Sequence, residues 1–154
     1  MSATPSRLQL NSYYLKELSY FLKDSLEKPP TKKTDSKNVE LEISDFTTQM
    51  DADGREWRCE LTIKSTNPEK RHFYDFRIVL VGFFTVSEGL DKETAILIAE
   101  TNAPAELYST SREIVATVTR RSPYPGTLLP TVTFVKEPVA PSIVKKPTKP
   151  KQKK

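Results

Sequence analysis

The spacing of the apolar residues changes once along the chain, and this change limits the folds that the chain can adopt. In residues 8–86 apolar and polar residues mostly alternate, which is the two-residue period of β-strands. From residue 91 to residue 120 the apolar residues recur every three or four positions, which is the period of a helix. A series of strands followed by a helix predicts an α+β fold.

The first part of the chain contains four extended runs. The first run, at residues 8–22, changes phase near its middle, which indicates a β-bulge. The sequence DADG at residues 51–54 is a turn signal, so the second and third runs should form a hairpin. The fourth run, at residues 72–86, is the most apolar. Since consecutive strands usually pair with each other, the prediction is a four-stranded antiparallel meander.

Pro104 divides the helical part of the chain. Asp91 is a candidate N-cap, and the apolar run that follows ends near the proline, where a longer helix can begin. In this longer part Leu107, Ile114 and Val118 share one helical face. The prediction is therefore a short helix leading into a longer one, that is, a long helix kinked at Pro104 and packed on one face of the sheet. An extended, proline-rich arm should follow it.

Positive charge is concentrated at the end of the sequence. Residues 138–154 hold six lysines and no acid, whereas residues 1–137 hold 18 basic and 20 acidic residues. The net charge of +4 is therefore no sign of a nucleic-acid-binding body. We expect a flexible N-terminus at residues 1–7, one domain at residues 8–137 and a disordered Lys/Pro-rich tail at residues 138–154. A tail that binds polyanions or membrane surfaces is the alternative.

Residues that carry enzymatic chemistry are scarce. The single cysteine, Cys59, alternates with apolar neighbours and is interpreted as a buried hydrophobe, and the single histidine, His72, is interpreted as a surface residue. Asp51 and Asp53 before Gly54 resemble part of a calcium loop, but a hairpin turn explains them better. We expect no enzyme, metal or cofactor. No leader or long apolar run is present, so a soluble cytoplasmic protein is predicted.

Several short motifs follow one another in a defined order and spacing over residues 8–134. They are YLKELSY at residues 14–20, GFFTV at 82–86, LYSTSRE at 107–113, Tyr124-Pro125 and Val132–Phe134. In this order they resemble Y-x-K-D-I-S-F, G-I-F-S-I, L-F-P-Y-A-R-E, F-P and P-V-N-F, which are motifs of the SecB family of protein-export chaperones.

This resemblance implies an ATP-independent holdase that binds unfolded or nascent polypeptides in hydrophobic grooves, as in SecB-type export. It also implies a homotetramer built as a dimer of dimers, and it places the arm along a groove. The predicted client-binding residues are Tyr20, Val39, Leu41, Tyr74, Phe84, Leu107, Tyr108, Tyr124, Leu129, Val132 and Phe134. The predicted oligomer interface, on the last strand and the helix, consists of Phe76, Ile78, Leu80, Ile114 and Val118. Ordinary core or subunit-interface packing is the alternative for each aromatic residue.

The chain also departs from the family pattern. The SecB family docks on the export motor SecA through acidic residues on the sheet, and Glu17 and Asp75 are the candidates here. However, Phe21 and Arg77 stand where the family has acids, no second helix is predicted after Phe134, and the tail is basic. The alternatives are therefore a SecB-like chaperone dedicated to one partner, such as the antitoxin of a toxin–antitoxin system, or a protein-binding module that is not a chaperone. Neither specific nucleic-acid binding nor membrane insertion is expected.

Overall fold

A four-stranded sheet and one long helix form the structure, a computed structural model that describes residues 4–22, 40–66, 74–124 and 126–135. The strands are β1 (Leu8–Leu22), β2 (Glu40–Gln49), β3 (Glu56–Thr66) and β4 (Tyr74–Val86), and the helix is α1 (Lys92–Thr119). The extended residues 126–135 follow the helix and are called the arm below. The predicted α+β fold, with its antiparallel sheet and long helix, is confirmed.

The sheet has the strand order β1-β4-β3-β2, and every neighbouring pair is antiparallel. β2, β3 and β4 form the predicted meander, but the prediction was wrong for β1, which pairs with β4 instead of β2. The physical reason is that residues 23–39 separate β1 from β2, and a connection of this length does not force the two strands to pair as a tight turn does. The most apolar strand, β4, therefore lies inside the sheet, and among the described residues β1 and β2 form the two edges of the sheet.

The turn between β2 and β3 confirms the predicted hairpin. Gly54 has a φ of 74°, a conformation that glycine adopts without strain. The carboxylate of Asp51 accepts hydrogen bonds from the backbone N–H groups of Arg55 and Glu56, at 2.9 Å and 3.0 Å. Asp51 therefore stabilises the turn, as the hairpin interpretation requires. The residues that the structure describes contain no group of three potential metal ligands. His72 lies outside the described residues.

The core lies between α1 and one face of the sheet. The predicted alternation on β3 is confirmed, because Trp57, Cys59, Leu61 and Ile63 are all buried on this face. Burial raises the pKa of the Cys59 thiol to about 11, so the thiol stays protonated at neutral pH and is a poor nucleophile. Cys59 is thus the buried hydrophobe that the sequence predicted.

α1 is one continuous helix that runs through Pro104, and the structure corrects the prediction of a separate shorter helix before the proline. The buried face includes Ala99 and Ala103 before the proline and Leu107 after it, so packing on the sheet continues across the missing backbone N–H. Asp91 is the N-cap, as predicted, and its carboxylate accepts from the backbone N–H of Thr94 at 2.9 Å. In the described part of the chain, no helix combines the length and apolar character needed to cross a membrane.

A buried threonine joins the end of α1 to the beginning of the arm. The Thr119 hydroxyl donates to the Val115 carbonyl at 2.8 Å and accepts from the Thr127 backbone N–H at 2.9 Å. We expect Thr119→Val to lower the free energy of unfolding by about 1–3 kcal/mol, because it leaves the buried Thr127 N–H without this acceptor. Thr117→Val, on the exposed side of the same turn, should change it by less than about 0.5 kcal/mol. Equal losses in urea denaturation of the two variants would contradict this role.

Candidate functional site

The arm is fixed along α1 by two side chains of the helix. The Tyr108 hydroxyl donates to the Pro130 carbonyl at 2.7 Å, and Arg112 Nε donates to the Leu129 carbonyl at 3.0 Å. The Phe134 ring meets the Tyr108 ring edge to face, with 5.9 Å between their centres. These contacts hold the arm in an extended form beside the helix, as the sequence predicted.

Apolar side chains of the arm and of β2 form a partly exposed strip on the helix side of the sheet. Val132 and Phe134 of the arm are half-buried against the core, and so are Leu41 and Ile43 of β2. These four residues are called the apolar strip below. Because each retains exposed surface, the strip can contact another polypeptide while it remains attached to the core.

A cavity of about 300 Å³ lies where the end of the arm meets β2. We call it the β2–arm cavity, and its lining residues are Asp45, Phe46, Thr47, Glu100, Phe134 and Val135. The cavity thus combines apolar surface with two carboxylates.

The open edge of β2 lies beside this cavity. Among the described residues β2 has a neighbouring strand on one side only, which is β3. Strand alternation places Asp45 and Thr47 on the helix side and Phe46, 66% exposed, on the opposite face. A strand edge presents backbone donors and acceptors to any extended chain that approaches it.

A second cavity, of about 460 Å³, lies at the C-terminal end of α1. Its walls come from Tyr20, Leu22, Thr117, Val118, Arg121, Ser122 and Pro123. Behind it, the Tyr74 ring stacks on Tyr20 with 5.5 Å between centres and meets Tyr124 edge to face at 6.2 Å. Burial raises the pKa of Tyr74, although a hydrogen bond with Ser122 acts in the opposite direction. The Tyr20 hydroxyl is buried, and it has no hydrogen-bond partner among the residues that the structure describes.

The predicted client-binding residues fall into two groups. The aromatic and leucine side chains of the first group are at most 4% exposed and belong to the core, so the alternative of core packing applies to them: Tyr74, Phe84, Leu107, Tyr108, Tyr124 and Leu129. The second group is partly exposed, so its role in client binding stays a prediction: Tyr20, Leu41, Val132 and Phe134. Val39 lies outside the described residues.

The predicted oligomer interface is also divided. Phe76, Ile78 and Leu80 are at most 4% exposed, because β4 lies between β1 and β3 and α1 covers this face. They are core residues and cannot form an exposed interface. Ile114 and Val118 keep some exposed surface on α1, so their interface role stays a prediction.

Sequence reasoning missed a row of exposed apolar residues on β1. Register shifts after Leu10 and after Leu15 confirm the predicted bulge and show two irregularities. With these shifts Leu15 lies opposite Leu80 and Leu18 opposite Ile78, on the helix side of the sheet. The β1 row, as it is called below, consists of Tyr13, Leu15, Leu18 and Leu22, which are 50%, 43%, 37% and 42% exposed. The long apolar first run was the available signal, but its position at a sheet edge could not be seen.

The helix-free face of the sheet carries paired charges. Arg77 Nε donates to the Glu17 carboxylate at 3.1 Å, and Lys16 and Arg58 contact the two Glu60 oxygens at 2.7 Å and 2.6 Å. Hydrogen bonds from Lys16 and Arg58 lower the pKa of Glu60. Glu17, one of the two predicted export-motor residues, is therefore half of an ion pair on this face. The other, Asp75, is half-buried on the same face.

Two solved structures are similar to this fold. The first is a Mycobacterium tuberculosis SecB-like chaperone in complex with a ChAD peptide from the HigA1 antitoxin, with a TM-score of 0.61, 19% identity and coverage of 82% of this chain and 91% of that one. The second is a Streptococcus agalactiae protein of unknown function, with a TM-score of 0.50, 14% identity and coverage of 80% and 97%. At these identities the likeness concerns the fold alone.

The sequence itself matches a family description. No curated protein matches the chain. The family model of preprotein translocase subunit SecB, however, matches residues 2–151, which is nearly the whole sequence. The matched residues include the four strands, the long helix and the arm described above. This chain belongs to the SecB family.

Proposed function

We propose that this chain is an ATP-independent holdase that binds non-native polypeptides in extended form. SecB proteins are chaperones, which suggests that the chain is not an enzyme. The SecB-like chaperone of M. tuberculosis was solved with a peptide bound, and this supports a polypeptide as the ligand. The observation that carries the proposal is the open edge of β2 beside the apolar strip and the β2–arm cavity. We call these three features together the binding groove.

The groove suits a ligand of variable sequence. An extended polypeptide that adds to β2 forms hydrogen bonds through its backbone, which every sequence provides. Its side chains alternate, so every second one points towards Leu41, Ile43 and the arm. Burial of apolar area then adds roughly 25 cal/mol per Å² with little demand on sequence. The cavity beside Tyr20 offers a second apolar contact for longer clients.

The first test is suppression of aggregation. We expect a stoichiometric excess of the protein, without nucleotide, to reduce light scattering during refolding of a denatured model protein. Val132→Asp should weaken client binding about tenfold or more, because it places a charge within the apolar strip. Thr133→Asp is the matched control, since the neighbouring side chain is exposed and outside the strip. The holdase proposal fails if unmodified protein leaves scattering unchanged, and the groove assignment fails if both variants lose affinity equally.

A second candidate function is a chaperone dedicated to one partner. The Glu17–Arg77 ion pair favours it, because a paired carboxylate attracts a basic docking partner less than a free one. The carboxylate of Glu60 is likewise paired, with Lys16 and Arg58, so it also attracts a basic partner less than a free carboxylate does. A protein that binds one polypeptide tightly but fails to protect unrelated model proteins would support this candidate. We propose a cytoplasmic location in either case, and SecA or an antitoxin as the partner.

We also propose a homotetramer, built as a dimer of dimers, in which β1 forms one interface. The β1 row is apolar, exposed and located on an edge strand. A second copy that adds its own β1 pairs both open edges and buries both rows in a symmetric contact. Ile114 and Val118 on α1 are candidates for the second interface.

A further inference from the structure

We propose that residues 142–146 of this chain, Ser-Ile-Val-Lys-Lys, act as an internal competitor for the binding groove by adding to the open edge of β2. The inference rests on the proposed function, since the groove is the proposed client site. It assigns to the basic tail a regulatory role, which is to lower the affinity for clients.

The position of the arm brings the tail to the groove. Val135, at the end of the arm, lines the β2–arm cavity and is 73% exposed. Residue 143 follows eight positions later, and about 3.3–3.6 Å per extended residue allows a span of nearly 30 Å. The segment can therefore turn back and lie along β2.

The sequence of the segment fits a strand edge. Prolines occur at 138, 141, 147 and 150, so residues 142–146 form the proline-free stretch between the second and third of them, with a donor N–H at every position. Ile143 and Val144 are β-branched and favour extended structure. When Ile143 faces the cavity and Phe134, strand alternation places Val144 on the other face, where Phe46 is 66% exposed.

Charge complements the apolar contact. Alternation puts Lys145 on the same side as Ile143, where Asp45 and Glu100 line the cavity. The whole tail, with six lysines and no acid, is attracted to a body that carries more acidic than basic residues. This attraction is screened by salt, so occupancy should fall as ionic strength rises.

The covalent link allows a weak contact to compete. A short linker raises the local concentration of the segment to roughly the millimolar range. A segment with a dissociation constant near a millimolar therefore occupies the groove for a sizeable fraction of the time, and a client must displace it. The expected reduction in client affinity is about twofold.

Docking can be tested without any client. A spin label on Ser142→Cys reports which amides lie near the segment, and Cys59 does not interfere because it is fully buried with a pKa of about 11. We expect broadening of the amide signals of residues 45–47 and 134–135, and its loss when Ile143→Ser and Val144→Ser are added. Unbroadened signals at β2 would overturn the proposal. In mixtures of spin-labelled chains without isotope and isotope-enriched chains without the label, broadening of the same signals would show that the tail docks on a second copy, which also overturns the proposal.

The regulatory effect needs a second measurement in the full-length chain. We expect Ile143→Ser with Val144→Ser to tighten binding of a fluorescent unfolded polypeptide about twofold. The matched control, Thr148→Ser with Gln152→Ser, changes tail residues outside the segment and should leave affinity unchanged. Docking without a change of affinity in the first variant would overturn the competitor role. If no variant binds a client, the proposed function has failed, and the spin-label result still decides whether the tail docks.

Discussion

Leu107→Ala is expected to lower the free energy of unfolding by about 3–4 kcal/mol, a large part of the stability of a domain of this size. Leu107 is fully buried at the contact between α1 and the sheet. A Cβ atom at Gly82 would lie 2.8 Å from Leu107 Cδ2, so the side chain fills the space directly above β4. The tight contact leaves a cavity when the side chain is removed, and we expect a melting temperature about 10 °C lower.

Leu97→Ala is the matched control, because Leu97 is 55% exposed on the same helix. It should change stability by less than about 1 kcal/mol. Gly82→Ala tests the same contact from the sheet, where the new methyl group would meet both Leu107 and Phe84. Its cost should be smaller in the Leu107→Ala background, with a coupling of about 1 kcal/mol. Additive effects of the two substitutions in urea denaturation would contradict direct contact at this position.

Local pattern predicted most of the secondary structure and the hairpin. Alternation on β3 identified Trp57, Cys59, Leu61 and Ile63 as one buried face, since strand geometry fixes this relation within a single run. The N-cap at Asp91 followed from equally local rules. The place of β1 in the sheet could not be predicted from local rules, because the pairing of β1 with β4 is a contact between distant segments that no local period encodes.

Local sequence patterns do not encode contacts between distant segments, and this also explains the errors in the candidate site. Aromatic residues were predicted to bind clients, but Tyr74 and Tyr124 pack against each other in the interior. Composition cannot separate a buried aromatic residue from an exposed one on the same strand, since both provide large apolar area. The arm residues Val132 and Phe134, which were predicted to line the groove, are partly exposed, and their role in client binding stays a prediction. The open edge of β2 became visible only with the strand order.

The position of the two sheet edges suggests a division of roles. β1 is the longer edge, with 15 residues, and its apolar row lies on the helix side. β2 has 10 residues and stands beside the arm and two carboxylates. A long, apolar edge suits permanent pairing with an identical strand, whereas a short edge beside a partly polar cavity suits reversible binding. Separate edges would let the protein assemble and bind clients at the same time.

Leu15→Glu combined with Leu18→Glu should therefore convert the proposed tetramer into smaller species. In a symmetric interface each substitution occurs twice, so four carboxylates would enter one apolar contact. We expect the dissociation constant for that interface to rise at least about 100-fold, and sedimentation equilibrium at micromolar concentration measures it directly. Both side chains are about 40% exposed within one chain, at 43% and 37%, so the fold itself should lose little stability.

Two comparisons make this test specific to β1. Met50→Glu introduces the same charge at a residue that is 57% exposed beside the β2–β3 turn, and it should leave assembly unchanged. Mixing the glutamate variant with Leu15→Lys and Leu18→Lys should restore assembly, because opposite charges then meet across the shared edge. Restoration would also show that both variants are folded. Unchanged sedimentation of the glutamate variant would mean that β1 faces solvent in the assembly, and α1 would then be the remaining candidate interface.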